Sequence, residues 1–321
     1  ITPDQLEAIA AFAFVEMLEA GFTRVGEFHY LHHQPDGRPY ANPAEMCARI
    51  AAAAADSGIA LALLPVFYAH GGFGGAPPGP QQRRFVNSLD GFVRMLDGAE
   101  KVVAALPDAV LGVAPHSLRA VRAEELSGIA ALRPDGPVHI HIAEQQKEVA
   151  DCLAWSGRRP VEWLLDQAAP DARWCLVHAT HLSDREVERF PASHAVAGLC
   201  PITEANLGDG LFPAERFLAA GGRFGVGSDS NVLISLAEEL RLLEYGQRLA
   251  ERRRCVLASD DEPSVGRNLF LRALDGGGQA LGAPASIAVG APADLIALAP
   301  RTSGAIGSDA LDQWLFTANV G

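Results

Sequence analysis

The sequence is poor in several things that would mark whole classes of protein. It has five cysteines (Cys47, Cys152, Cys175, Cys200 and Cys255), scattered and without a C-x-x-C pair, which excludes a disulfide framework and a thiolate zinc knuckle. That usage reads as a reduced, cytoplasmic protein; Cys175 and Cys200 lie in apolar runs and read as buried, inert thiols. No apolar run is long enough to span a bilayer. Basic residues are outnumbered 26 to 39, and the net charge of -13 excludes a nucleic-acid surface, which needs clustered cations. The longest basic run, Arg252-Arg253-Arg254, reads as a solvated helix face. There is no G-x-G-x-x-G after the first strand, no G-x-x-x-x-G-K-[ST] and no G-x-S-x-G, so nucleotide binding and serine-hydrolase chemistry have no motif to stand on. No lysine follows a central strand where it could bridge two metals, which favours one metal over two.

What is present is a large α/β alternation. The 321 residues, 49% hydrophobic and 20% charged, can bury a barrel-sized core. A helix is expected over 3–20, opened by Thr2-Pro3-Asp4 and closed by Gly21. Strands are expected over 22–28, 59–66, 109–114, 137–142, 173–178, 194–199 and 223–227. They are short apolar runs of the kind buried on both faces of a parallel sheet. Helices fall between them, near 43–56, 84–98, 123–131, within 145–168, and over 183–189, 213–220 and 235–250; further helices are expected over 267–274 and 308–317. Seven strands are counted where a closed (β/α)8 barrel has eight, so the expectation is a distorted TIM barrel whose first strand precedes residue 1. An open doubly wound sheet is the alternative. The domain reading is a barrel over 1–282, then part of a small β-domain and a C-terminal helix over 283–321, with a short strand at 293–298. The Gly71–Pro80 stretch reads either as a lid or pocket wall or as a simple mobile connection.

Polar groups stand at the C-terminal ends of several of these strands. His139 and His141 share one strand face, and Glu144 falls just beyond the end. His178 ends the next strand and Asp229 a later one. Two potential metal ligands, an acid/base carboxylate and a further imidazole at one barrel mouth point to metal-assisted hydrolysis, although a hydrolytic zinc commonly has three or more protein ligands. His139 lies deeper and reads as structural, His181 as the start of the next helix, and Asp229 alternatively as a helix N-cap. A second group, Tyr30, His116 and Arg119, also follows strands. Arg119 reads equally as a bidentate carboxylate binder or as a cap or salt bridge for the helix that follows, and Arg83-Arg84 could serve either purpose.

The segments Tyr30-Leu31-His32-His33, Ala114–Arg119, His139–Gln145, Val177–His181, Cys200–Gly210 and Gly225–Asn231 together resemble the amidohydrolase superfamily. Within it they are most similar to the mononuclear deaminase branch and its formimidoylglutamate deiminase subfamily. The resemblance implies one divalent metal, most simply zinc, held by His141 and Asp229 together with an H-x-H pair on a strand preceding residue 1; the chain alone is then expected to be inactive. It implies Glu144, His178 and Asp229 as catalytic residues and Tyr30, His116 and Arg119 as the binding site for a small dicarboxylic substrate, in a cytoplasmic homodimer with no nucleic-acid or membrane partner. A ring deaminase of the same branch and a non-catalytic barrel are the rival readings.

Overall fold

The computed structural model describes residues 1–283, 285–298 and 310–317. The chain runs α1 (Pro3–Glu19), β1 (Arg24–His29), α2 (Glu45–Ser57), β2 (Ala60–Phe67), α3 (Leu89–Val103), β3 (Val110–Leu111), β4 (Ala114–Pro115), α4 (Ala123–Ala131), β5 (Val138–Ile142), α5 (Gln146–Ser156) and α6 (Pro160–Gln167). It continues with β6 (Trp174–His178), α7 (Asp184–Ala192), β7 (Val196–Leu199), α8 (Pro201–Leu207), α9 (Ala214–Ala219), β8 (Arg223–Val226), α10 (Leu236–Glu251), α11 (Val265–Ala280) and α12 (Ala310–Phe316). All paired strands are parallel. β1, β2 and β3/β4 form one set, β5 to β8 another, and parallel bridges Val113 to Val138 and Ser117 to His141 join the two. β3 and β4 are two halves of the single strand expected over 109–114. The architecture is that of a distorted TIM barrel, with every strand end at one mouth.

The period of two decides what faces the interior. On β5, Val138, Ile140 and Ile142 are fully buried in the core beneath the helices, while His139 and His141 face the cavity inside the strands. The same alternation puts Leu176, Ala197, Leu199 and Phe224 in the outer core and Cys175, Val177, Gly198 and Gly225 on the inside.

Three departures from expectation have identifiable causes. Helix α3 begins at Leu89, with Ser88 as its cap, because Arg83 and Arg84 are occupied in holding loop carbonyls of Pro35, Pro80, His33 and Ile1. Helix α11 runs through Gly276-Gly277-Gly278, where a stop was expected. A Cβ at Gly276 would come within 2.0 Å of Phe224 O, so this helix lies backbone-to-backbone on β8, and tertiary packing overrides weak propensity. Residues 293–298, expected as a strand, form none; a lone strand without a paired edge is unstable. The Gly71–Pro80 loop is folded, with Phe73 stacked on Trp155 at 5.4 Å, and none of its residues lines the cavity described below. Among the described residues no helix is long and apolar enough to cross a membrane.

Candidate metal centre and its pocket

A cavity of about 460 Å³ occupies the interior of the strand array and opens at its C-terminal mouth. Glycines at inward positions of β1, β7 and β8 (Gly26, Gly198 and Gly225) leave room for it, and Ala280 and Leu281 at the end of α11 form its floor. All seven residues singled out for chemistry or binding line it: Tyr30, His116, Arg119, His141, Glu144, His178 and Asp229. His139 lines it too, but its Nε2 is bonded to Ala280 O at 2.7 Å, the structural role expected.

The strand ends that deliver these groups are strained. Ala143 (φ 50°), His178 (φ 68°) and Asp229 (φ 46°) all take the left-handed region that side-chain-bearing residues avoid. Such strain persists only where the surroundings hold it, and it concentrates at functional sites. Here the hydrogen bonds Ala179 N to Ile142 O and His181 N to Ala143 O hold the β5 and β6 ends together.

One ligand atom from each of His141, His178 and Asp229 lies within 4.8 Å of the others. The imidazoles of His141 and His178 are stacked with nearly parallel planes, centroids 5.5 Å apart. Burial, with His116, His178 and Arg119 nearby, holds His141 well below its ordinary pKa, so it is a neutral imidazole, the form that ligates. Two nitrogens and a carboxylate oxygen suit zinc and its neighbours better than a hard cation such as calcium. The residues therefore fit a single divalent ion. The geometry also places His178 within reach of the two ligands read from sequence, and excludes the capping alternative for Asp229, since α10 is capped by Ser235.

Glu144 stands between the imidazole of His178 and the guanidinium of Arg119. Its Oε1 lies 3.9 Å from His178 Nε2, and its Oε2 lies 4.0 Å from Arg119 Nη2. Its own backbone N–H donates to Glu148 Oε2 at 3.1 Å, which fixes the turn after β5. Burial disfavours charge on His178, yet Glu204, Glu144 and Asp229 together outweigh it and raise its pKa.

Arg119 does not cap α4. Its guanidinium lines the cavity, and its buried Nε has no hydrogen-bond partner. An unmatched buried donor of this kind is costly unless something fills the site. His116 bonds Ser117 Oγ through Nδ1 at 3.0 Å, and burial, with Arg119 beside it, lowers its pKa to about 3. Tyr30 meets His116 edge-on at 5.7 Å and is raised by burial and by the Asp229 charge.

His181 does not start a helix; it sits in the turn before α7, whose cap is Ser183. Three neighbours of the site, Phe28, Tyr68 and Glu204, do not stand out in the sequence. Phe28 packs on His141 with centroids 4.1 Å apart, and Tyr68 packs on His116 at 4.6 Å. Glu204 reaches His178 from behind, Oε1 to Nδ1, at 3.4 Å. The available clue for Glu204 was Cys200-Pro201-x-x-Glu204 after a strand, a helix start with proline first and an acid in the fourth position.

Residues 1–319 match the model of the amidohydrolase family. The chain is 54% identical over 321 residues to the formimidoylglutamate deiminase of Pseudomonas aeruginosa, across 98% of this chain and 71% of the relative. An amidohydrolase from Brucella melitensis of known crystal structure superposes with a TM-score of 0.93 at 55% identity, covering 99% of this chain and 71% of that one. A zinc-bound adenosine deaminase from Xanthomonas campestris superposes with a TM-score of 0.70 at 21% identity, covering 88% of this chain and 58% of that one; this likeness is one of fold.

Proposed function

The chain belongs to the amidohydrolase family, and on that premise we propose that it hydrolyses N-formimino-L-glutamate to N-formyl-L-glutamate and ammonia, a step of histidine degradation. The observation that carries the substrate class is the half-buried guanidinium of Arg119, whose Nε is buried without a partner, placed across Glu144 from the metal-binding cluster. A carboxylate-bearing substrate satisfies that donor and sets its other end beside the reacting groups. The 54% identity to a deiminase of that name supports the same assignment.

His141 and Asp229, with His178 in reach, hold the ion, proposed as one zinc. When bound, it supplies the Lewis acidity that makes water a competent nucleophile near neutral pH. Asp229 and His178 orient that water and accept its proton as oxygen bonds to the formimino carbon. Glu144, between His178 and the substrate's side of the pocket, passes the two protons of the water in turn to the imino nitrogen, first as the tetrahedral intermediate forms and then as the nitrogen departs. The C–N bond breaks, ammonia leaves, and the carbon retains the new oxygen as a formyl group. Arg119 pairs with a substrate carboxylate, and Tyr30 and His116 complete that end of the pocket.

The test is ammonia release by zinc-loaded protein that carries the H-x-H strand expected ahead of residue 1, offered N-formimino-L-glutamate, with purine and pterin amines as alternatives. Turnover of the dicarboxylate, stoichiometric with formyl product, is expected. Turnover of a ring amine in its place, or none by protein shown to contain zinc, overturns the assignment.

A further inference from the structure

We propose that Glu204 is a positioning residue that fixes the tautomer and orientation of His178. The inference rests on the hydrolytic reading of the site given above.

His178 ends β6 and is 2% exposed, so both ring nitrogens need assigned partners. On one side Nδ1 faces Glu204 Oε1 at 3.4 Å. On the other, Nε2 faces Glu144 Oε1 at 3.9 Å, within the ligand cluster. A carboxylate can only accept, so Nδ1 carries the proton and donates to Glu204. In the neutral ring this leaves a lone pair on Nε2, aimed at the cavity. A histidine free to turn or to change tautomer would present an N–H there half of the time and could neither accept a proton nor ligate.

Helix capping alone does not explain this carboxylate. Glu204 Oε1 also accepts from Cys200 N at 3.1 Å, a bond from the fourth residue of α8 back to the N–H of the residue that precedes the helix. An exposed side chain does that job, whereas Glu204 is 4% exposed. Burying a carboxylate is expensive unless several donors meet it, and here the same oxygen meets both the α8 cap and the imidazole. The cap therefore anchors the carboxylate and the carboxylate anchors the ring. A neighbouring acid, Glu239 on α10, accepts from Ile202 N at 2.9 Å and holds the first turn of α8. The position from which Glu204 acts is thus itself fixed.

Glu204→Gln separates the two roles, because glutamine caps equally well but carries no charge to hold the imidazole N–H. In zinc-loaded protein we expect kcat to fall about 10- to 100-fold, the range for partners that act through another residue. KM, zinc content and thermal midpoint should stay near those of the parent. Nitrogen NMR of the His178 ring should show Nδ1 protonated in the parent, with its proton moving upfield in the variant. A kcat within twofold of the parent overturns the proposal, as does a parent ring protonated at Nε2 and bare at Nδ1. Glu204→Ala, which also removes the cap, should lose more, and its failure to fold leaves the glutamine variant decisive. If the parent does not turn over N-formimino-L-glutamate, the substrate reading fails while the NMR measurement still decides the role of Glu204.

Discussion

Glu144 has no close hydrogen bond to its carboxylate from either flank; His178 Nε2 and Arg119 Nη2 stand 3.9 and 4.0 Å away. Separations of that size leave space for a reacting group between the acid and its neighbours, as expected of a proton carrier before substrate binds. Glu144→Gln should retain zinc and lower kcat by about 10²- to 10⁴-fold, the usual range for a lost general acid/base, with little change in KM. Steady-state ammonia release with parallel metal analysis checks it; a variant that loses its zinc instead would assign Glu144 to the ligand set. Arg119→Ala should behave differently. Losing a charge-assisted partner in a partly buried site is worth about 2–5 kcal/mol, so kcat/KM should drop by at least about 30-fold, with much of the change in KM. Equal turnover by Arg119→Ala and the parent would remove the carboxylate pocket. These residues were legible in the sequence because a histidine or acid ending an apolar strand stands out against its neighbours. Phe28 and Tyr68 were not, since an aromatic inside an apolar run looks like core. Glu204 was hidden because its local position already explains it as a cap.

Among the elements, the strands and most helices follow directly from the alternation of apolar runs with capped amphipathic segments. Helix α4, expected and found over 123–131, is the clearest instance. The elements that departed are those whose form depends on a distant partner. Helix α11 persists through three glycines, and at Gly276 only a residue without Cβ lets its axis approach β8 this closely. Two adjacent glycines give an internal contrast. Gly276→Ala would place Cβ 2.0 Å from Phe224 O and should destabilise the protein by about 1–3 kcal/mol, the range for overpacking. Gly277→Ala meets nothing within 4 Å and should gain about 0.5–1 kcal/mol from helix propensity. Denaturant melts of the two variants check this; similar midpoints would mean that α11 does not pack on β8 as described. The short α8 was missed for the opposite reason: seven residues beginning with proline carry too little periodicity to announce a helix.

At the scale of the whole molecule, the barrel class was legible because strands of one orientation all end near polar groups. The titratable groups inside that core were not, since burial cannot be read from composition, and they set opposing dependences of stability on pH. His29 is 3% exposed, its Nε2 has no partner, and burial lowers its pKa from 6.5 to about 4. Between those values only the unfolded chain takes the proton, so its contribution is complete above pH 6.5 and is lost as pH falls toward about 4. Glu239 has the reverse sign. It is fully buried and one carboxylate oxygen lacks a partner. Burial, opposed in part by Ile202 N–H, raises its pKa from 4.5 to about 8. The folded state then holds a proton that the unfolded chain has released, so this contribution is complete below pH 4.5 and is lost as pH rises through about 8. Thermal midpoints should therefore peak in the mildly acidic range and decline on both sides. Glu239→Gln, which keeps a neutral side chain of the same shape, should leave the midpoint unchanged near pH 5 and raise stability above pH 8 by about 1–3 kcal/mol. His29→Gln should flatten the acid limb alone. Parallel profiles of Glu239→Gln and the parent between pH 4.5 and about 8 would show that Glu239 is already charged in the folded protein across that window. Its unpaired oxygen would then have to be matched by solvent reaching the α8–α10 contact.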